Sequence, residues 1–429
     1  MKQDYDVIII GAGMVGSSLV VALLDQAAQQ GLKIALVEPD KVKAGQLQAP
    51  SPKGSKSNAS VEARYQSSFD ARTTALGFGS AKIFQQLSVW QALQKHLQAI
   101  RQIHVSDKGH FGATRLEAEL ENVPALGYVV ENKWLLDVLF SHIQEHPNRA
   151  HLKVYCPCSV KSIVREAGRT TLQLDAADEQ LSAALVVMAD GGRSSLRDAL
   201  GISYTEHDYQ QHALICNVEL DRAHQSIAYE RFTDAGPIAL LPLLCQKAAH
   251  RYSLVWTLAE ADVEAVLGLS EPAFLSALQQ RFGYRAGRFI KVGTRDSYPL
   301  KLQTAQEQVR SGLAIVGNAA HTLHPIAGQG FNLALRGVIS LAESIISAAR
   351  NQCPLGDYNM LKQFEQSRLK DQRATINFTD RSMYLFTNSN PLISLGRDLG
   401  LQLLDICPPV KSVFARQAMG LASPMSDLK

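Results

Sequence analysis

At 429 residues, with 46% hydrophobic and 19% charged residues and a formal net charge of +3, the chain has the composition of a globular enzyme. It lacks the basic excess that marks a nucleic-acid-binding protein. The length suggests roughly two to three domains of about 150 residues, long enough to bury cores without covalent staples. Six cysteines with no C-x-x-C pair point to reduced thiols in the cytoplasm, and Cys156-Pro157-Cys158 is read as incidental.

The chain opens as a buried strand from Tyr5 to Ile10, a helix from about Met14 to Gln30 and a second strand from Lys33 to Glu38, a βαβ unit. Val7 to Leu24 carries no charge and is long enough to span a bilayer, but Asp4 and Asp6 precede it and no basic segment does. Its glycines fit another use. From Lys41 to Asp70 the sequence turns to Ser, Lys, Gln and Pro with few large apolar residues, which predicts an exposed, disordered loop insert. Helices are expected over Ser80 to Leu97 and Asn132 to His146, the second with Leu135, Leu136, Leu139, Phe140 and Ile143 at helical spacing.

Short strand-like runs fill Leu152 to Met188. Past Arg197 the alternation of ALICNVEL, SIAYERF, PIALLPLL and YSLVWTL predicts an antiparallel sheet and a second domain. A buried strand over Leu313 to Val316 and a helix over Asn332 to Ala349 follow. The remainder reads as mostly helical, with turns at Asn390-Pro391 and Pro408-Pro409. No internal repeat is visible.

Three stretches carry the chemistry. In Gly11-Ala-Gly13-Met-Val-Gly16, Gly11 permits the turn, Gly13 lets a pyrophosphate approach the backbone, and Gly16 lets helix and strand pack closely. The helix N-terminus offers free N–H groups and partial positive charge to phosphates. Glu38, ending the next strand, stands where a carboxylate takes ribose hydroxyls. This motif predicts dinucleotide binding without choosing between NAD and FAD. The second stretch, Ala189 to Arg197 (ADGGRSSLR), reads from its residues alone as a strand closing on a turn. The third runs from Gly317 to Gly337, GNAAHTLHPIAGQGFNLALRG. His321 and His324 lack the further Cys or acidic ligands that a metal site needs, so no metal is expected. Gly328-Gln329-Gly330 instead precedes a helix expected to begin at Phe331 or Asn332, a place suited to negative charge.

The second and third stretches resemble the two FAD fingerprints of the flavin-dependent aromatic hydroxylases of the para-hydroxybenzoate hydroxylase type. Within that superfamily the chain resembles the ubiquinone-biosynthesis hydroxylases, through Phe69-Asp-Ala-Arg72 with Thr-Ala-Leu76, Gly127-Tyr-Val-Val-Glu-Asn132, Tyr209-Gln-Gln211, Arg295-Asp-Ser-Tyr-Pro-Leu300 and His321 to Asn332. Its C-terminal Gly396 to Leu401 and Arg416 to Leu421 look most like the 2-polyprenyl-6-methoxyphenol hydroxylase branch.

The resemblance implies an α/β (α+β) fold in three parts. A discontinuous Rossmann-like FAD-binding domain is expected over 1–100, 115–200 and 296–350, with 41–70 as the loop insert. An interleaved antiparallel-sheet substrate domain is expected over 101–114 and 201–295, and a helical region over 351–429. It implies FAD held by Gly11, Gly13, Gly16, Glu38, Arg72, Asp190, Gly191, Arg197, Asn318, Gly328, Gly330 and Asn332. The loop of Pro325, Gly328 and Gly330 is placed against the isoalloxazine, and Tyr298 with Pro299 near the substrate. The implied reaction is ring hydroxylation of a polyprenylated phenol through a flavin C4a-hydroperoxide, with O2 as cosubstrate and NADPH or another donor as reductant. A flavoprotein reductase or dehydrogenase of the same fold, or a non-catalytic member of a quinone-synthesis complex, would share these motifs. A tailed substrate further implies contact with such a complex or with the inner membrane face through the amphipathic C-terminal helices.

The chain departs from the family pattern at Asn318, where Asp is usual, and at Gly337, where Asp commonly follows the Arg. An Asn carbonyl still accepts a ribityl hydrogen bond, but without the charge that roughly doubles its strength.

Overall fold

The computed structural model describes residues 4–40, 71–109, 112–166, 168–175, 179–192, 196–234, 236–244, 249–323, 328–387 (backbone only over 382–387), 400, 402 and 405–422. The expected loop insert, Pro325, His324, Arg193 to Ser195 and the Asn390-Pro391 turn lie outside these residues.

An eight-stranded sheet is built around five parallel strands in the order Leu313–Ile315, Gln180–Met188, Tyr5–Ile10, Ile34–Val37 and Leu152–Tyr155. Strands buried on both faces read as continuous apolar runs, which is why YDVIII shows no polar alternation. Val7 and Ile9 point into a core shared with the helices Met14–Gln30, Asn132–Glu145 and Gln329–Arg350. Ile8 and Ile10 point the other way, against Leu172 and Leu174 of a strand that pairs antiparallel with Gln180–Met188. The apolar stretch Val7 to Leu24 is thus a core strand and a core helix. Among the described residues one helix, Gln329–Arg350, is long and apolar enough to cross a membrane, and 72% of its apolar stretch is buried in the protein.

A nine-stranded sheet forms the second body, centred on Tyr204–Leu220 between His250–Ala259 and Asp296–Ala305. Alternation divides its faces. Leu214, Cys216, Val218 and Leu220 pack with Trp256, Leu258 and the helix Glu271–Phe282. Ala213, Ile215 and Asn217 face the opposite way, toward the parallel-sheet body, and Asn217 Nδ2 donates to the Ala71 carbonyl there at 2.9 Å. A three-stranded sheet, Thr73–Gly77, Gly127–Glu131 and Gln98–Ile100, bridges the two bodies.

Several boundaries differ from the expectation. Arg115 to Glu117 and Asp296–Ala305, assigned from sequence to the FAD-binding part, lie in strands of the nine-stranded sheet, the first within Ala113–Glu117. The expected helix over Ser80 to Leu97 is broken. Phe78–Gln86 ends at Leu87, Ser88 adopts a left-handed φ of 59°, and a short helix resumes at Trp90. Pro408 and Pro409 do not turn the chain but open the helix Pro408–Ala418, where a proline costs nothing because the first N–H groups of a helix have no internal acceptor.

Candidate active site

A cavity of about 900 Å³ runs between the two bodies. One end is lined by Gly11, Gly13, Glu38, Pro39 and Asp40, the middle by Thr73 to Ala75, Asp190, Gly191 and Asn318. The other end is lined by Gly328, Gly330, Phe331 and the inward face of the nine-stranded sheet. Its size lies toward the upper end of cofactor sites, about 300–1,000 Å³.

Gly11 has φ +102°, and a Cβ there would stand 2.6 Å from the Ala189 carbonyl oxygen. A Cβ on Gly16 would stand 1.9 Å from the Gly11 carbonyl oxygen, so helix, loop and neighbouring strand are in backbone contact. At Gly13, the N-cap of Met14–Gln30, a Cβ would meet open space, and that space is the cavity. The Glu38 carboxylate accepts the Ala12 N–H at 2.5 Å and the Asp40 N–H at 3.1 Å, fixing the glycine loop from below. Asp190 Oδ1 accepts the Gly192 N–H at 3.0 Å and so shapes the second turn. Arg197 lies over the Tyr204 ring, 4.7 Å from its centroid.

Asn318 lies in the turn Gly317–Ala319 with its side chain exposed to the cavity. Gly328, with φ 60°, caps Gln329–Arg350, so the helix begins two or three residues earlier than expected. Asn332 does not reach into the cavity as a ligand. Its Oδ1 accepts from Gly77 N at 2.8 Å and Ser80 Oγ at 2.6 Å, and its Nδ2 donates to Ala75 O at 2.9 Å and Gly328 O at 2.7 Å. All four bonds of the amide are made within the protein, and Asn332 clamps the Gly328 loop to the strand Thr73–Gly77. Arg72 and Tyr298 come together, the guanidinium 5.0 Å from the ring centroid and paired with Asp296 at 3.1 Å. Neither lines the cavity; the residues after Arg72, Thr73 to Ala75, do. His321 is buried with both ring nitrogens unpartnered among the described residues, and burial pushes its imidazole down to about 4, leaving it neutral at pH 7.

Sequence reasoning missed the sheet face. Ile215, Glu230, Ala239, Leu241, Ser253 and Val255 line the far end of the cavity. The available signal was Glu230 itself, a carboxylate on the same strand face as Ala228 and Phe232 in IAYERFT.

The family model described as FAD binding domain matches residues 4–379. The chain belongs to this FAD-binding family. It is 32% identical to the ubiquinone hydroxylase UbiL of Rhodospirillum rubrum, over 97% of this chain and 89% of that one. It is 29% identical to the 3-demethoxyubiquinol 3-hydroxylase of Escherichia coli, over 98% of this chain and 100% of that one. Among solved structures, p-nitrophenol 4-monooxygenase PnpA of Pseudomonas putida superposes with a TM-score of 0.75 at 16% identity, covering 99% and 100% of the two chains, and shares the fold. The chain is therefore an FAD-dependent hydroxylase.

The residues of the FAD-binding family member fit the cofactor. The open space at Gly13, the backbone contacts behind it and the volume of the cavity suit a dinucleotide. When bound, FAD supplies the redox chemistry that activates O2. Asn318, whose amide has no partner among the described residues, lines the cavity and would hold a hydroxyl of the cofactor's sugar chain. Asn318→Asp is expected to strengthen that bond by about 1 kcal/mol, roughly fivefold in the FAD dissociation constant. Retention of FAD through gel filtration measures it, and equal retention in both proteins would contradict the role.

Proposed function

We propose that the protein hydroxylates the aromatic ring of a polyprenylated phenol on the route to ubiquinone. A ring C–H, O2, two electrons from NADPH or another donor and two protons give a ring C–OH and water. The observation that carries this reading is the continuity of the cavity from the glycine loop at Gly13 to the largely apolar wall of Ile215, Ala239, Leu241 and Val255. That wall suits a ring, and the phenol hydroxyl directs attack to its ortho and para carbons. The relatives named as ubiquinone and demethoxyubiquinol hydroxylases support the same substrate class. Deleting the gene should cause a polyprenylated intermediate lacking one ring hydroxyl to accumulate, restored by the wild-type protein. Unchanged quinone content would overturn the reading.

We infer that the protein works in the cytoplasm at the inner membrane face, where a tailed substrate would lie. Val410 and Val413, one turn apart on the last helix, and Ile406 just before that helix are 48%, 69% and 77% exposed, beside the ion pair of Lys411 with Asp405. This row suits contact with a bilayer surface or with a quinone-synthesis complex. Substituting Val410→Asp and Val413→Asp together should abolish co-sedimentation with anionic phospholipid vesicles; undiminished sedimentation would remove the bilayer contact.

A further inference from the structure

Alternation along Ile227–Thr233 puts Ala228, Glu230 and Phe232 on one face of the sheet and Tyr229 and Arg231 on the other. Glu230 pairs with Val105 on one side and Ala239 on the other, and its row continues through Val255 and Ile215. Among the described sheet residues that line the cavity, Glu230 is the one ionisable group. No described group hydrogen-bonds its carboxyl, and burial pushes it up to about 7.

The charged groups around it do not account for that shift. Asp107, Glu219, Arg251 and Asp296 share its face of the sheet, Asp296 paired with Arg72. His104 and Arg231 lie on the opposite face. The long helix Tyr358–Thr387, which packs on this strand, carries Asp380 and Arg381, and Asp380 accepts the Tyr209 hydroxyl at 3.0 Å. None contributes to the Glu230 shift, whose cause is burial alone. The carboxyl is partly open to the cavity, where a ligand donor can take the place of water on it.

We propose that Glu230 is a catalytic residue, receiving the hydrogen bond of the substrate's ring hydroxyl and taking its proton as the ring is oxygenated. The inference rests on the phenol reading above. A phenol ionises near pH 10, about three units above this carboxyl, so the bound phenol keeps its proton and donates a charge-assisted hydrogen bond. As the new C–O bond forms, the phenol O–H bond breaks and its proton moves to Glu230. The electron pair left behind becomes the C=O bond of a cyclohexadienone, and a ring pair forms the bond to one oxygen atom from O2 as the O–O bond breaks, the other oxygen leaving as water with the two electrons of the reductant. Loss of the proton from the oxygenated carbon then restores the aromatic ring, and the ketone oxygen recovers its proton from Glu230. The carboxylate is regenerated.

The active form is the ionised one, so kcat/KM rises with pH through about 7. The linkage to folding has the opposite sense. Between the unfolded value near 4.3 and about 7 the folded protein holds the extra proton, so the contribution of this group to stability falls as pH rises through that window.

The test compares FAD-loaded wild type and Glu230→Gln with 2-farnesylphenol and its O-methyl ether. Wild type should bind the phenol about tenfold tighter than the ether, read from the perturbation of flavin absorbance, and Glu230→Gln should nearly abolish that preference. Its kcat should fall about 100-fold and its kcat/KM should lose the rise near pH 7, with FAD content unchanged. If Glu230→Gln fails to hold FAD, Glu230→Asp serves: kcat and the preference fall while the rise near pH 7 remains. A variant that keeps the wild-type rate, pH profile and preference overturns the role of Glu230. A wild type that hydroxylates no phenol overturns the substrate reading instead.

Discussion

Gly16→Ala is expected to yield a protein that no longer retains FAD. The added methyl would sit 1.9 Å from the Gly11 carbonyl oxygen and 3.1 Å from its carbon, both backbone atoms that cannot rotate away. Relief requires Met14–Gln30 to move off the parallel sheet or the glycine loop to shift. Either displaces the N–H groups at Gly13 from the cavity. Overpacking against backbone costs about 3 kcal/mol or more, which is a loss of over 100-fold in FAD affinity. Gly13→Ala separates the two causes, because its Cβ would project into open cavity. That variant should melt like the wild-type apoprotein yet bind FAD weakly, whereas Gly16→Ala should also melt earlier as apoprotein. FAD titration and thermal unfolding of both apoproteins measure this, and wild-type affinity in Gly16→Ala would contradict the packing argument.

Asp371→Ala carries the largest expected loss of stability. Asp371 joins the long helix Tyr358–Thr387 to Gln329–Arg350, accepting from Arg336 Nε at 2.9 Å and Nη2 at 3.2 Å while also pairing with Arg368. All three side chains are at most 7% exposed. Removing the carboxylate leaves two buried guanidinium groups without their anion, which costs about 3–5 kcal/mol. Thermal unfolding with FAD in excess should begin several degrees lower. A midpoint within one degree of wild type would show that water replaces the carboxylate at no cost.

The parallel-sheet half of the fold was legible because its signals are local. The strand Tyr5–Ile10 and the helix Met14–Gln30 follow from an apolar run, three glycines and Gly31 closing the helix with a left-handed φ of 65°. The helix Asn132–Glu145 follows from its apolar spacing. What escaped depends on long-range pairing. Which face of IAYERFT turns to the cavity is decided by the helix Glu271–Phe282 covering the other face, so Glu230 looked like any strand carboxylate. Asn332 matched a cofactor fingerprint, yet its amide meets Ala75, Gly77 and Ser80, about 250 residues away in sequence, and holds the wall rather than the ligand. Pro408 and Pro409 read as a turn because helix entry and turn share the same φ restriction, and only the packing of Ala415 and Met419 beneath the sheet decides between them.

The central claim is that one cavity brings a flavin bound at Gly13 and a phenol ring at the Glu230 wall into reach of each other. Its most direct measurement is a single turnover of the FAD-loaded protein with reductant, 2-farnesylphenol and isotopically labelled O2. The account expects one labelled oxygen atom in the new ring hydroxyl and the other in water. Consumption of reductant with all of the label in hydrogen peroxide, or transfer of electrons without O2, would contradict it.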